Sequence, residues 1–135
     1  MGIGRFKALV ASADKAWQDD CAARFAHSGC DVHIVAAGLD ALDLLRRHQY
    51  DIIALDNSFP DMNAIEFTLN IKDLAVNGPL TLVGDEEMEK HRCIRRRCNA
   101  YFIGPKDCLP AHIYQAVLHL SQNSEKIEID PARPS

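Results

Sequence analysis

The chain has 135 residues, of which 47% are hydrophobic and 25% charged, with a formal net charge of −4 and a pI near 5.8. That is the length of one domain able to bury a core, in the composition of an ordinary soluble globule rather than a disordered chain. The acid balance argues against a dedicated nucleic-acid binder, which carries a basic excess. No apolar run approaches the ~20 residues that span a bilayer. The start, MGIGRFKALV, lacks the length and the small-residue cleavage site of a secretory signal. Phe6 stands where an N-myristoylation motif needs Ser or Thr. Five cysteines (Cys21, Cys30, Cys93, Cys98, Cys108) are an odd count without CxxC spacing. They fit reduced, small core residues of a cytoplasmic protein.

Short β-like runs alternate with longer helical ones. FKALVA (Phe6 to Ala11) reads as a buried strand. Asp14 is an N-cap for a helix that lines up Trp17, Cys21 and Phe25 at i, i+4 and i+8, and Gly29 ends it. Asp31 to Ala36 is a second strand, followed by a helix in ALDLLRRH with Leu42 and Leu45 inward. YDIIALD (Tyr50 to Asp56) is apolar on both faces, as a central strand of a covered parallel sheet must be. Asn63 and Glu66 form a capping box for the next helix. Pro79 to Gly84 is strand four, DEEMEKHRCIRRRC a polar helix, and Ala100 to Gly104 strand five. The last helix starts near Pro110 and buries Ile113, Ala116, Val117 and Leu120.

Five strands alternating with five helices specify an α/β protein with a doubly wound parallel sheet and right-handed crossovers. The functional crevice of such a sheet lies at the carboxyl ends of its strands. Asp56 closes strand three and therefore stands on that edge.

The segment after strand three carries the most specific signal: Leu55, Asp56, then Pro60, Met62, Asn63 and Ala64. It resembles the response-regulator receiver domain of two-component signalling, which reads apolar-Asp-x-x-x-Pro-x-Met-Asp-Gly there. The resemblance covers roughly residues 5 to 121. It implies a flavodoxin-like, CheY-like (βα)5 fold with a five-stranded sheet in the order 2-1-3-4-5. Residues 1–121 then form the receiver-like domain, and the polar, proline-punctuated residues 122–135 a tail or linker.

In the family, the aspartate takes up a phosphoryl group. Mg²⁺ on an acidic pair after strand one, a lysine after strand five and a hydroxyl after strand four neutralise the charge. Here the acidic pair falls on Ser12 and Ala13, with Asp14 beside them; strand four ends in Val83 and Gly84; Gly104-Pro105 replaces Lys-Pro, and Lys106 lies two residues further on. Losing one such electrostatic stabiliser typically removes ~10²–10³ in rate. The expectation is a pseudo-receiver: Asp56 as the remnant of a phosphoacceptor, no enzyme activity, and weak or absent Mg²⁺ binding. Two rivals are an active receiver using Asp14 and Lys106 as substitutes, and a flavodoxin-like small-ligand binder. The second lacks a Gly-rich phosphate cradle.

Tyr101 occupies the family's switch-aromatic position and reads equally as a half-buried strand residue. Arg92, Arg95 and Arg96 share one helical face. That face is either a docking patch for an acidic partner or a solvated surface balanced by Glu86, Glu87 and Glu89. His91, Cys93, Cys98 and Cys108 lack the spacing of a metal site. The resemblance implies a signalling-protein partner or a fused output domain, met through the fourth helix, the fifth strand and the fifth helix. A homodimer could use the same face; no nucleic acid or membrane is implied.

Overall fold

The computed structural model describes residues 6–56, 58–63, 66, 67, 70, 81–85, 100–120 and 127–128. The strands are β1 (Lys7–Ala11), β2 (Asp31–Val35), β3 (Ile52–Leu55), β4 (Thr81–Asp85), β5 (Ala100–Gly104) and β6 (Ile127–Glu128). They form one parallel sheet in the order β2-β1-β3-β4-β5-β6. The first five follow the expected order 2-1-3-4-5. Register runs Ala8–Ile52, Ile52–Thr81 and Thr81–Ala100, so the strand ends line up along one carboxyl edge.

Alternation along β1 divides the core into two layers. Leu9 and Ala11 face one side with Ile53, Leu55, Phe59, Phe67 and the inner stripe of α2 (Gly38–Arg47), which is Ala41, Leu42 and Leu45. Ala8 and Val10 face the other side with Ile52, Ala54, Val83 and the stripes of two helices. These are α1 (Lys15–His27), through Trp17, Cys21 and Phe25, and the last helix, α3 (Leu109–Leu120), through Leu109, Ile113, Ala116 and Val117. Every residue of β3 is buried, which explains its unbroken apolar sequence.

Local chemistry sets the helix ends. The Asp14 carboxylate accepts from the Trp17 N–H at 3.2 Å and caps α1. Beyond its other end, Gly29 takes φ +87°, a conformation glycine adopts without a Cβ penalty. Ala37 cannot cap α2, so Asp61, from the loop after β3, accepts from Gly38 N (2.8 Å) and Leu39 N (2.9 Å) instead. The Leu39 and Gly38 N–H groups hold the Asp61 carboxyl below its ordinary value. The capping box forms as expected: Glu66 N donates to Asn63 Oδ1 at 2.9 Å, and Asn63 N to Glu66 Oε1 at 3.3 Å.

Strands β1, β2 and β3 are each shorter than the sequence reading, and three further differences have local causes. Helix α2 starts at Gly38, ahead of ALDLLRRH, because the Asp61 cap is supplied from elsewhere in the chain. Strand β4 continues past Gly84 to Asp85, which pairs with Gly104. Within the tail, Ile127 and Glu128 pair in parallel with Phe102 and Ile103 on the outer edge of β5. Backbone groups of an edge strand template such pairing whatever the side chains.

Leu9 lies fully buried in the central layer, so Leu9→Ala removes apolar contacts on both its own layer and the neighbouring strands. The expected loss is about 3 kcal/mol, read as a lower urea midpoint with unchanged slope. A loss under about 0.5 kcal/mol would contradict this packing.

Candidate functional site

Three chain segments meet at the carboxyl edge of the sheet. Asp56 follows β3, Ser12 follows β1, Ser58 sits two residues after Asp56, and Lys106 opens the 3₁₀ turn Lys106–Cys108 after β5. Asp14 caps α1 beside them. Asp56 is 1% exposed and Ser12 is fully buried. A carboxylate so placed needs partners for its lone pairs.

The partners are all supplied by the chain. Ser58 Oγ donates to Asp56 Oδ1 at 2.7 Å, and Ser58 N donates to the same oxygen at 3.2 Å. Ser12 Oγ donates to Asp56 Oδ2 at 2.8 Å, and the Lys106 ammonium lies 3.0 Å from that oxygen. An ionised carboxylate has about four acceptor positions, so Asp56 is saturated. The serines also close the turn after β1: Asp14 N donates to Ser12 Oγ (3.0 Å) and Ala13 N to Ser58 Oγ (2.9 Å).

Lys106 joins this group to α1. Its ammonium lies 2.7 Å from Asp14 Oδ2 as well, and its carbonyl accepts from Trp17 Nε1 at 2.8 Å. Trp17 is thus a buried core residue whose indole N–H is used at the pocket, which suits it to report on the site. The Lys106 hydrogen bond, with a lesser contribution from the Trp17 N–H, holds the Asp14 carboxyl below its ordinary value. Partial burial opposes the charge on Lys106, but its hydrogen bonds to Asp14 and Asp56 and the attraction of both carboxylates prevail, raising its pKa.

The sequence expectations fall out as follows. Ser12, Ala13, Asp14, Asp56 and Lys106 come together, and the two-residue displacement of Lys106 is bridged by its long side chain. Gly84 and Gly104 are buried at the ends of β4 and β5, where they add no functional group. The backbone of Tyr101, in β5, pairs with Leu82 of β4, but its side chain lies outside the described residues. Arg92, Arg95 and Arg96 also lie outside them, as do His91, Cys93 and Cys98. Cys21 and Cys30 are buried core residues, and burial pushes the Cys21 thiol up to about 12. Sequence reasoning missed Ser58. Its available signal was the Asx-type spacing, two residues after Asp56.

The Mg²⁺ that the family resemblance implies needs oxygen ligands with lone pairs to offer. Asp56 has none free, Asp14 is engaged by Lys106 and by Trp17 N, and an ammonium stands between the two carboxylates. Among the described residues, no three His, Cys, Asp or Glu side chains gather where a metal ion could bind. This donor set does not fit a divalent ion.

The charge pair sets a pH window. The Asp14 contribution to stability is complete above an unfolded carboxyl value of ~3.9 and is lost as pH falls through its lower folded value. The Lys106 contribution is complete below ~10.4 and is lost as pH rises through its higher folded value. Asp14→Asn keeps a good N-cap while removing the charge. Its urea midpoint, followed from pH 7 towards pH 11, should fall less steeply above pH ~10.4 than that of the wild type. Identical slopes would show that Asp14 does not hold the Lys106 proton.

Known proteins resemble this chain in sequence and in fold. A family profile described as the response regulator receiver domain matches residues 8–118. The polar-differentiation response regulator DivK of Brucella ovis is 33% identical over 87 residues, covering 58% of this chain and 67% of DivK. A 44-residue stretch is 41% identical to the autoinducer 2 sensor kinase/phosphatase LuxQ of Vibrio cholerae; it covers 33% of this chain and only 5% of that much longer protein. The fold is shared with the chemotaxis response regulator CheY4 of Vibrio cholerae, at a TM-score of 0.68 and 17% identity over 87% of this chain and 99% of that one. A CheY-like receiver domain from Methylobacillus flagellatus superposes at 0.70, with 15% identity over 87% of this chain and all of the other (100%). With its parallel 2-1-3-4-5 strand order, its aspartate at the end of β3 and a profile match over most of its length, the chain belongs to the response-regulator receiver domain family of two-component phosphorelay signalling.

Proposed function

We propose that this receiver domain is phosphorylation-deficient and signals by protein–protein contact rather than by aspartyl phosphate. The supporting observation is the saturation of Asp56 by Ser12, Ser58 and Lys106. A carboxylate attacks phosphorus through a lone pair, and each of its lone pairs already holds a hydrogen bond. The incoming group would also bring negative charge into a buried setting. Ser12, Ala13 and Gly84 stand where the family places its metal ligands and hydroxyl, and they offer no added positive charge.

The surface that meets partners is, in this proposal, the one built by the fourth helix, β5 and the last helix. Arg92, Arg95 and Arg96 would present positive charge there to an acidic signalling protein or output domain, or the face would join two copies. The setting is cytoplasmic and the domain non-catalytic. Among the described residues, no helix is long and apolar enough to cross a membrane.

One observation favours a second reading. Lys106 already reaches Asp56, at 3.0 Å, so it could neutralise a phosphoryl group there, with Asp14 as its second carboxylate. Intact mass after incubation with a small-molecule phosphodonor and Mg²⁺, beside an Asp56→Asn control, separates the two. No phosphate adduct on the wild type is expected. An adduct that disappears in the control would overturn the phosphorylation-deficient reading.

A further inference from the structure

The Lys106 ammonium contacts one oxygen from each of two carboxylates, Asp14 Oδ2 at 2.7 Å and Asp56 Oδ2 at 3.0 Å. The ammonium is held there from both ends. Pro105 fixes the backbone before it at φ −58°, the 3₁₀ turn begins at Lys106 itself, and the Trp17 indole clamps the Lys106 carbonyl at 2.8 Å. A side chain tethered in this way forgoes the translational freedom that a dissolved ion must surrender on binding. Mg²⁺ also gives up its water shell reluctantly.

We infer that Lys106 is a built-in counter-cation for the Asp14–Asp56 pair, taking the place of a divalent metal ion and leaving the pocket complete without one. The inference deepens the functional reading above by naming what governs the site: an intramolecular ammonium in place of a dissolved ion. Two consequences follow from charge alone. The wild-type pocket is indifferent to divalent ions. Removing the ammonium leaves two carboxylates facing each other, one of them buried, with no cation between them. That arrangement attracts a small divalent ion, because like charges held close gain most from a cation that bridges them.

The test uses the full chain and Mn²⁺ as the probe, with thermal melting and Trp17 fluorescence as readouts. The wild type should show the same Tm with Mn²⁺ or with chelator. Lys106→Met should melt lower than the wild type in chelator and regain roughly 3–5 °C in about 10 mM Mn²⁺, the shift expected of a ligand present at about ten times its Kd. Adding Asp56→Asn to Lys106→Met should abolish the regain. Should Lys106→Met fail to fold, Lys106→Gln keeps a neutral donor and carries the same expectation. A chelator-reversible Mn²⁺ shift in the wild type, or a lysine variant that folds and gains nothing from Mn²⁺, would overturn the inference. The outcome is independent of the phosphodonor experiment: a metal-independent adduct at Asp56 would sink the functional reading and leave the counter-cation in place.

Discussion

A buried, ionised carboxylate cannot be left unpaired, and that requirement organises the whole carboxyl edge of this sheet. Asp56 is placed there by β3, a strand buried at every residue, and its side chain has no access to solvent. Something must supply positive charge and hydrogen-bond donors. In the family the aspartate shares that edge with other carboxylates and a dissolved cation. In this chain the groups around Asp56 are donors: Ser12, Ser58 and Lys106. A serine hydroxyl at Ser12 points a proton at Asp56 where an acidic side chain would have pointed a second negative charge.

The donors come from separate parts of the chain, so satisfying Asp56 also fastens the loops to one another. Ser12 brings in the end of β1, Ser58 the loop after β3, and Lys106 the turn after β5. Asp14 caps α1 and anchors Lys106, while Trp17 in the same first turn clamps the Lys106 backbone. The contact between α1 and the β5–α3 connection is therefore reciprocal: one side-chain bond runs each way. The Lys106–Asp14 bond is charge-assisted, a kind roughly twice as strong as a neutral one, and links residues 92 apart; the neutral Trp17–Lys106 bond links residues 89 apart. The result is a single arrangement of three loops tied together through one carboxylate and one ammonium.

The fold was readable because its signals are local and periodic. The unbroken apolar run of β3, the Trp17-Cys21-Phe25 stripe, the Asp14 cap and the Asn63–Glu66 box each depend on neighbours a few residues away. The place of Asp56 followed from the strand it closes. What was hidden is non-local. Asp61 caps α2 from 23 residues away, so no helix-start signal marked Gly38. Ser58 is a lone loop serine, and its double role depends on Ala13 reaching it from the turn after β1. The reach of Lys106 is set by side-chain length rather than register, so a backbone count puts it two residues too late. The pairing of Ile127 and Glu128 with β5 runs through backbone groups, which every sequence carries. The Arg92, Arg95 and Arg96 face lies outside the described residues.

The most direct measurement of this account is a double-mutant cycle between Lys106 and Asp56, using Lys106→Met, Asp56→Asn and their combination, read by urea denaturation at neutral pH. If the ammonium is the charge partner of a buried carboxylate, Lys106→Met strands that carboxylate, and neutralising it with Asp56→Asn recovers stability. The account predicts that the double variant is more stable than Lys106→Met alone, with a coupling of about 1–3 kcal/mol. Simple additivity of the two losses would mean that Lys106 and Asp56 are neighbours without being partners, and the internally neutralised pocket would have to be abandoned.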